Sequence, residues 1–190
     1  IVATGGADLD AGIGYLQAAR DVMQAVGDLI GLNNAYNLLG NALTATGDLA
    51  GARDAFEASR RVSADSGAKG DECVALVSLA TTALELGELR SGLVRAREAR
   101  ALSEAVGTKL PLGMAMAAEA VAMAWLGEVE GASAEAPRAA AMARDMKSLR
   151  RDLAVNVQGE MVYRTLEPHP LLHKDLATGR DLRDDLLDRV

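Results

Sequence analysis

Few residues of this chain are of types that do chemistry. His169 and His173 are its two histidines. Their spacing of four is one at which a helix face presents two imidazoles to a zinc ion. Pro170 lies between them and breaks a helix there, and no cysteine stands nearby. Two histidines without a clear third ligand make a weak zinc site, so no metal is expected. Cys73 is the single cysteine, which excludes an internal disulfide and fits a reducing cytoplasm. It stands at the start of a helical stretch, where a thiolate is favoured, but a structural role is the expectation. No nucleophile–base pair, no glycine-rich loop after a strand and no pair of carboxylates in a pocket is recognisable. The chain is therefore expected to be non-catalytic and to carry no cofactor.

One further set has a chemical use. Asn34, Asn37 and Asn41 recur at i, i+3 and i+7, which puts them on one helix face. Each carries a donor and an acceptor, enough to clamp an extended peptide backbone. Asparagine is a mediocre helix former, so three on one face ask for a reason beyond propensity.

The elements that position these residues follow from composition and period. Apolar residues make up 49% of the 190 residues but aromatics only 3%, so any core is packed from Ala, Leu, Val and Met. Such surfaces suit closely spaced helices. No strand-like alternation persists. The net charge of −7 disfavours direct nucleic-acid binding, which needs a surplus of Lys and Arg on one face. The cluster Arg144, Lys147, Arg150 and Arg151 is explained by a helix C-terminus, where cations suit the macrodipole. No apolar stretch reaches the ~18–20 residues of a membrane span. The first residues, Ile1 to Gly6, lack the charged start of a signal peptide. A cytoplasmic location is expected. The dominance of Arg over Lys, with heavy use of Ala, Gly and Asp, fits a GC-rich bacterial genome.

A motif repeats every 40 residues. It reads Gly47-Asp48-Leu49, Gly87-Glu88-Leu89 and Gly127-Glu128-Val129, with a weaker copy at Ala7-Asp8-Leu9. Gly27, Gly67 and Gly107 keep the same beat. A fixed period of this size marks a stack of helix pairs. In the clearest unit, helix A runs from about Asn33 to Thr46 and helix B from about Asp48 to Ser66. Gly47 ends the first in a left-handed conformation and Asp48 caps the second. Glu88 and Glu128 are expected in the first turns of their B helices, and Pro137 is expected to kink or delay the third. One column, Gly12, Ala52, Gly92 and Ala132, is always small, as a close helix crossing requires. The columns Leu9, Leu49, Leu89, Val129 and Val22, Val62, Leu102, Met142 complete an apolar stripe.

The stretch from Ala35 to Leu43, with Tyr36, Leu39 and Gly40, followed by Ala52 and Phe56, resembles a tetratricopeptide repeat. The other units keep its skeleton and lose its aromatics: Ala80 and Ala120 replace Gly40, and Ala96 and Ala136 replace Phe56. The period is longer than the family's usual one of about 34. Long-period arrays of this kind resemble the sensor lobes of large bacterial transcription regulators and signalling ATPases. The resemblance covers residues 1–166 and implies an all-α, alpha-alpha superhelix, a solenoid of helix-turn-helix units with turns at 7, 47, 87 and 127. Residues 167–190 are expected to form a capping or linker helix after Pro168 and Pro170, and the array is expected to be cut at its N-terminus.

The resemblance also implies a concave groove lined by the A helices. Its partner-binding residues would be Asn34, Asn37, Asn41, Val77, Thr81, Met114, Val121, Trp125, Val157 and Met161. The groove would pass from an Asn-rich end to an apolar, Met-containing wall with the one Trp. The family's carboxylate clamp needs Lys or Arg beside such asparagines, and the A helices offer none before Arg150, Arg151 and Arg164. The implied function is a protein-interaction or regulatory sensor module, a fragment of a larger bacterial regulator. It would hold a peptide, a helix or a neighbouring domain of its own parent chain. The alternatives are an accessory recognition region of a larger enzyme and a receptor for a small hydrophobic ligand. Homo-oligomerisation is compatible with all three.

Overall fold

Six glycines set the architecture. Gly27, Gly47, Gly67, Gly87, Gly107 and Gly127 all have positive φ, between 72° and 84°. At Gly47 the amide donates to the Thr44 carbonyl at 3.0 Å and the next amide to the Leu43 carbonyl at 2.9 Å, which satisfies two acceptors at the helix end. The chain then turns at once into the next helix. The Asp48 carboxylate accepts from the Gly51 amide at 2.9 Å, and Asp28 accepts from Gly31 in the same way at the same distance. Each such cap is worth about 1 kcal/mol. Glu88 behaves differently. It precedes the first turn of its helix, makes no capping bond and instead pairs with Arg53 at 3.0 Å.

The computed structural model describes residues 5–150. They form seven consecutive helices: α1 (Gly5–Val26), α2 (Leu29–Thr46), α3 (Leu49–Ser66), α4 (Lys69–Glu85), α5 (Leu89–Val106), α6 (Lys109–Trp125) and α7 (Val129–Arg150). The described residues contain no strand. Helix A of the clearest unit starts four residues earlier than its sequence pattern indicated, because the Asp28 cap and not Asn33 begins it. α7 starts at Val129 in step with the other units and runs through Pro137, so the proline does not delay it. The expected fifth A helix and the segment 167–190 lie outside the described residues.

Each helix packs on the next, and α4 also packs on α6. This is an all-α superhelix of stacked helix pairs. The even-numbered helices form one layer and the odd-numbered helices the other. Within a pair the small column makes the crossing. Ala52 is fully buried, and a Cβ built on Gly92 would lie 2.6 Å from Leu84 Cδ2 and 3.2 Å from the Ala80 carbonyl oxygen. The first unit solves the same problem with a ring. A Cβ on Gly40 would lie 2.5 Å from the buried Phe56 side chain, which packs with Ala52 and Leu79.

Two polar clusters lock pairs and units together. Ser59 Oγ donates to Asn33 Oδ1 at 2.6 Å, joining α3 to α2 inside the core. Ser63 Oγ lies 2.9 Å from that same oxygen and 2.9 Å from the Ser59 carbonyl. Farther along the stack, Glu119 is buried on α6 and receives Arg97 Nε at 2.9 Å and Arg100 Nη1 at 3.1 Å, both from α5. Arg100 also meets Glu104 at 3.1 Å and Glu135 of α7 at 3.2 Å. Burial alone would lower the pKa of Arg100. The hydrogen bonds it donates to Glu104 and Glu119 and the charges of Glu135 and Glu119 outweigh that, so its pKa is raised and the guanidinium stays charged.

Candidate partner-binding surface

A stacked helix pair exposes its A-helix face unless something packs on it. The described A helices differ sharply in this respect. On α2, Ile30 is 74% exposed and Leu38 54% exposed, Asn34 is exposed, and Asn37 and Asn41 are half-buried. At a helical 100° per residue, Ile30, Asn34, Leu38 and Asn41 fall on one stripe with Asn37 at its margin. Asn41 Nδ2 donates to Asn37 Oδ1 at 3.2 Å. That bond aligns two of the three amides and leaves the Asn37 amide nitrogen and the Asn41 oxygen outside it. The sequence spacing placed the three asparagines together, and the structure keeps them on one face.

The same columns on α4 and α6 are covered. Ser78 and Ala118, in the column of Leu38, are buried, as are Thr81 and Val121 in the column of Asn41. Val77 belongs to a core cluster with Leu76, Ala99 and Met114, and Val121 to another with Ala80, Leu84 and Ala122. The expected apolar wall of Val77, Thr81, Met114 and Val121 is therefore interior packing within the described residues, and these four present no open surface. The physical reason is their place in the stack. α4 and α6 pack closely on each other as well as on α3, α5 and α7, whereas α2 makes only a slight contact with α4, which leaves that side of α2 open. Trp125, at the C-terminal end of α6, keeps 37% of its surface exposed. Val157 and Met161 lie outside the described residues, as do His169 and His173. Cys73 is fully buried on α4.

Leu38 and Ile30 were missed by sequence reasoning. The signal was present at Leu38, a large apolar residue on the stripe of the asparagines where the period-matched residues are Ser78 and Ala118; Ile30 shares the stripe, with Gly70 and Leu110 as its counterparts. The surface is thus polar amides bordered by two exposed aliphatic side chains. Amides supply hydrogen bonds to a peptide backbone, and the aliphatics supply apolar contact. No described helix is long and apolar enough to cross a membrane. No protein-family model matches the chain, and no curated protein matches it.

Proposed function

We propose that this chain is a non-catalytic protein-interaction module built as a tetratricopeptide-like array, and that it seats a peptide or helix against α2. The observation that carries this reading is the contrast between columns. Ile30, Asn34, Leu38 and Asn41 are open or half-open on α2, while their counterparts on α4 and α6 are largely packed away. A repeat protein whose units are otherwise closed offers a ligand few places, and this one combines apolar anchors with amide hydrogen-bonding groups. We place the module in a regulatory sensor role within a larger bacterial protein, a transcription regulator or a signalling ATPase. The bound element would be a segment of a partner or of the parent's own neighbouring domain. The length of the period and the resemblance of the first unit support that setting.

A random-peptide display selection against the 190-residue chain tests the site. The expected result is a convergent set of peptides whose binding is weakened at least about tenfold by Leu38→Glu, a loss typical of a central interface anchor. Asn37→Ala with Asn41→Ala should weaken it less, and Glu104→Ala, on the exposed side of α5, should leave it unchanged. Peptides that bind equally well to Leu38→Glu, or a selection that never converges, would refute the α2 site.

A further inference from the structure

Two hydroxyls where α4, α5 and α6 meet lack the partners that the repeat supplies elsewhere. Ser103 Oγ and Thr108 Oγ1 are buried and have no hydrogen-bond partner among the described residues. Each loss traces to one residue. Ser103 stands 40 residues after Ser63, and Cys73 stands 40 residues after Asn33. In the first helix pair, Ser63 Oγ lies 2.9 Å from Asn33 Oδ1. In the second pair a thiol replaces that amide, and a thiol is shorter and accepts only weakly. Ala99 also stands where Ser59 joins the first cluster. Cys73, Ala99 and Ser103 are all fully buried. Thr108 occupies the column of Asp28, whose carboxylate accepts from the Gly31 amide. In the column of Gly31 it faces Pro111, which has no N–H to give. Thr108 therefore precedes α6 without making a capping bond.

The two hydroxyls belong to one junction. The Thr108 amide donates to the Ser103 carbonyl at 3.0 Å, so both stand at the turn from α5 into α6. A Cβ built on Gly70 would lie 3.9 Å from Thr108 Cγ2, which places the first turn of α4 against the same turn. Cys73 follows Gly70 by one helical turn. Gly70 stands where α2 has Ile30 and α6 has Leu110, so the junction keeps room beside Thr108.

We infer that this junction binds one internal water molecule, hydrogen-bonded by Ser103 Oγ and Thr108 Oγ1 with the Cys73 thiol beside it. The chemistry selects water. A buried hydroxyl without a partner is costly, and a water that bonds to several such groups removes the cost. Water both donates and accepts, which suits two hydroxyls whose protons rotate to fit. An ion would need a free opposite charge. On the first turn of α4, Lys69 and Glu72 already hold each other at 2.7 Å. The period explains why the site falls at this joint. Asn33 supplies the acceptor in the first pair, and the third pair carries Gly113 and Ala143 in the two columns, with no hydroxyl to satisfy. The water ties the end of α5 to the start of α6, as Asn33 ties α2 to α3. The site is separate from the α2 stripe, so its failure would leave the peptide-binding proposal standing.

Magnetic relaxation dispersion of the water oxygen counts long-lived internal waters, and on the 190-residue chain it provides the test. Two variants are compared with the wild type over a range of temperatures, so that slow exchange does not hide a water. Cys73→Asn restores the residue of the first pair, and its amide takes the place of the water. It should hold one long-lived water fewer than the wild type. Ser103→Ala/Thr108→Val removes both hydroxyls and introduces no new polar group. It should also lose one water and keep the helix content of the wild type. This double variant decides the matter if the asparagine proves too large for the junction. A folded double variant with the same water count as the wild type would overturn the inference. So would a folded Cys73→Asn that loses none.

Discussion

Gly40→Ala should destabilise the wild-type protein by about 1–3 kcal/mol, yet stabilise a Phe56→Ala background by about 0.5–1 kcal/mol. The sign change follows from one contact. A Cβ at Gly40 would lie 2.5 to 2.7 Å from three ring atoms of Phe56, and that ring is only 2% exposed, so it has little room to withdraw. Remove the ring and the clash disappears, leaving the ordinary preference of a helix interior for Ala over Gly. Phe56→Ala alone should cost about 3–5 kcal/mol, because it empties the largest side chain in its cluster with Ala52 and Leu79. The double variant reproduces the later units, which carry Ala80 with Ala96 and Ala120 with Ala136. Urea midpoints of the four proteins measure the coupling. Additive effects would show that the ring and Gly40 are not the pair that fills this crossing.

Arg100→Met should cost about 3 kcal/mol, the scale of breaking a buried ion pair from one side. Arg100 is hydrogen-bonded to Glu104 and Glu119 and lies close to Glu135, and removing it leaves two of those carboxylates, only 8% and 15% exposed, with less compensation. The second substitution Glu119→Leu should recover much of the loss. Glu119 occupies the column of Leu39 and Leu79, so a leucine there restores the apolar packing of the other units. By contrast, Arg53→Ala should change stability by less than about 0.5 kcal/mol, since the Arg53–Glu88 pair is nearly half exposed on both sides. Denaturant titrations at low and high salt separate the two cases. The Arg100 effect should persist in salt that screens exposed pairs. A loss at Arg100 no larger than that at Arg53 would mean the α5–α6–α7 network does not hold the units together.

The helix ends were legible because their chemistry is local. Glycine at each 20-residue beat, with Asp28 and Asp48 behind two of them, states where the chain must turn left-handed and restart. The small column was legible too, since Ala52 and Gly92 face crossings that admit no larger residue. What covers a helix depends on its neighbours and not on its own residues. Val77 and Val121 read as groove residues by position, and packing made them core. Asn34, Asn37 and Asn41 kept their common face because α2 keeps a free side. The ionic network went unread although its signal was there. Glu119 interrupts an apolar column, and Arg97 and Arg100 stand on the preceding helix one turn apart. Only the fold brings those three together.

The chain adds one helix pair to a stack every 40 residues, and pairwise spin-label distances test this directly. Asp54, Val94 and Ala134 occupy one column, are all exposed, and lie on α3, α5 and α7. The only native cysteine is buried, so labels go where they are introduced. Three double-cysteine variants give the 54–94, 94–134 and 54–134 distances. The stack predicts that the first two agree within a few ångströms, roughly the spread of packed-helix spacings, and that the third is close to their sum. A 54–134 distance no longer than the 54–94 distance would mean that the helices close on themselves as a bundle, and would contradict the account.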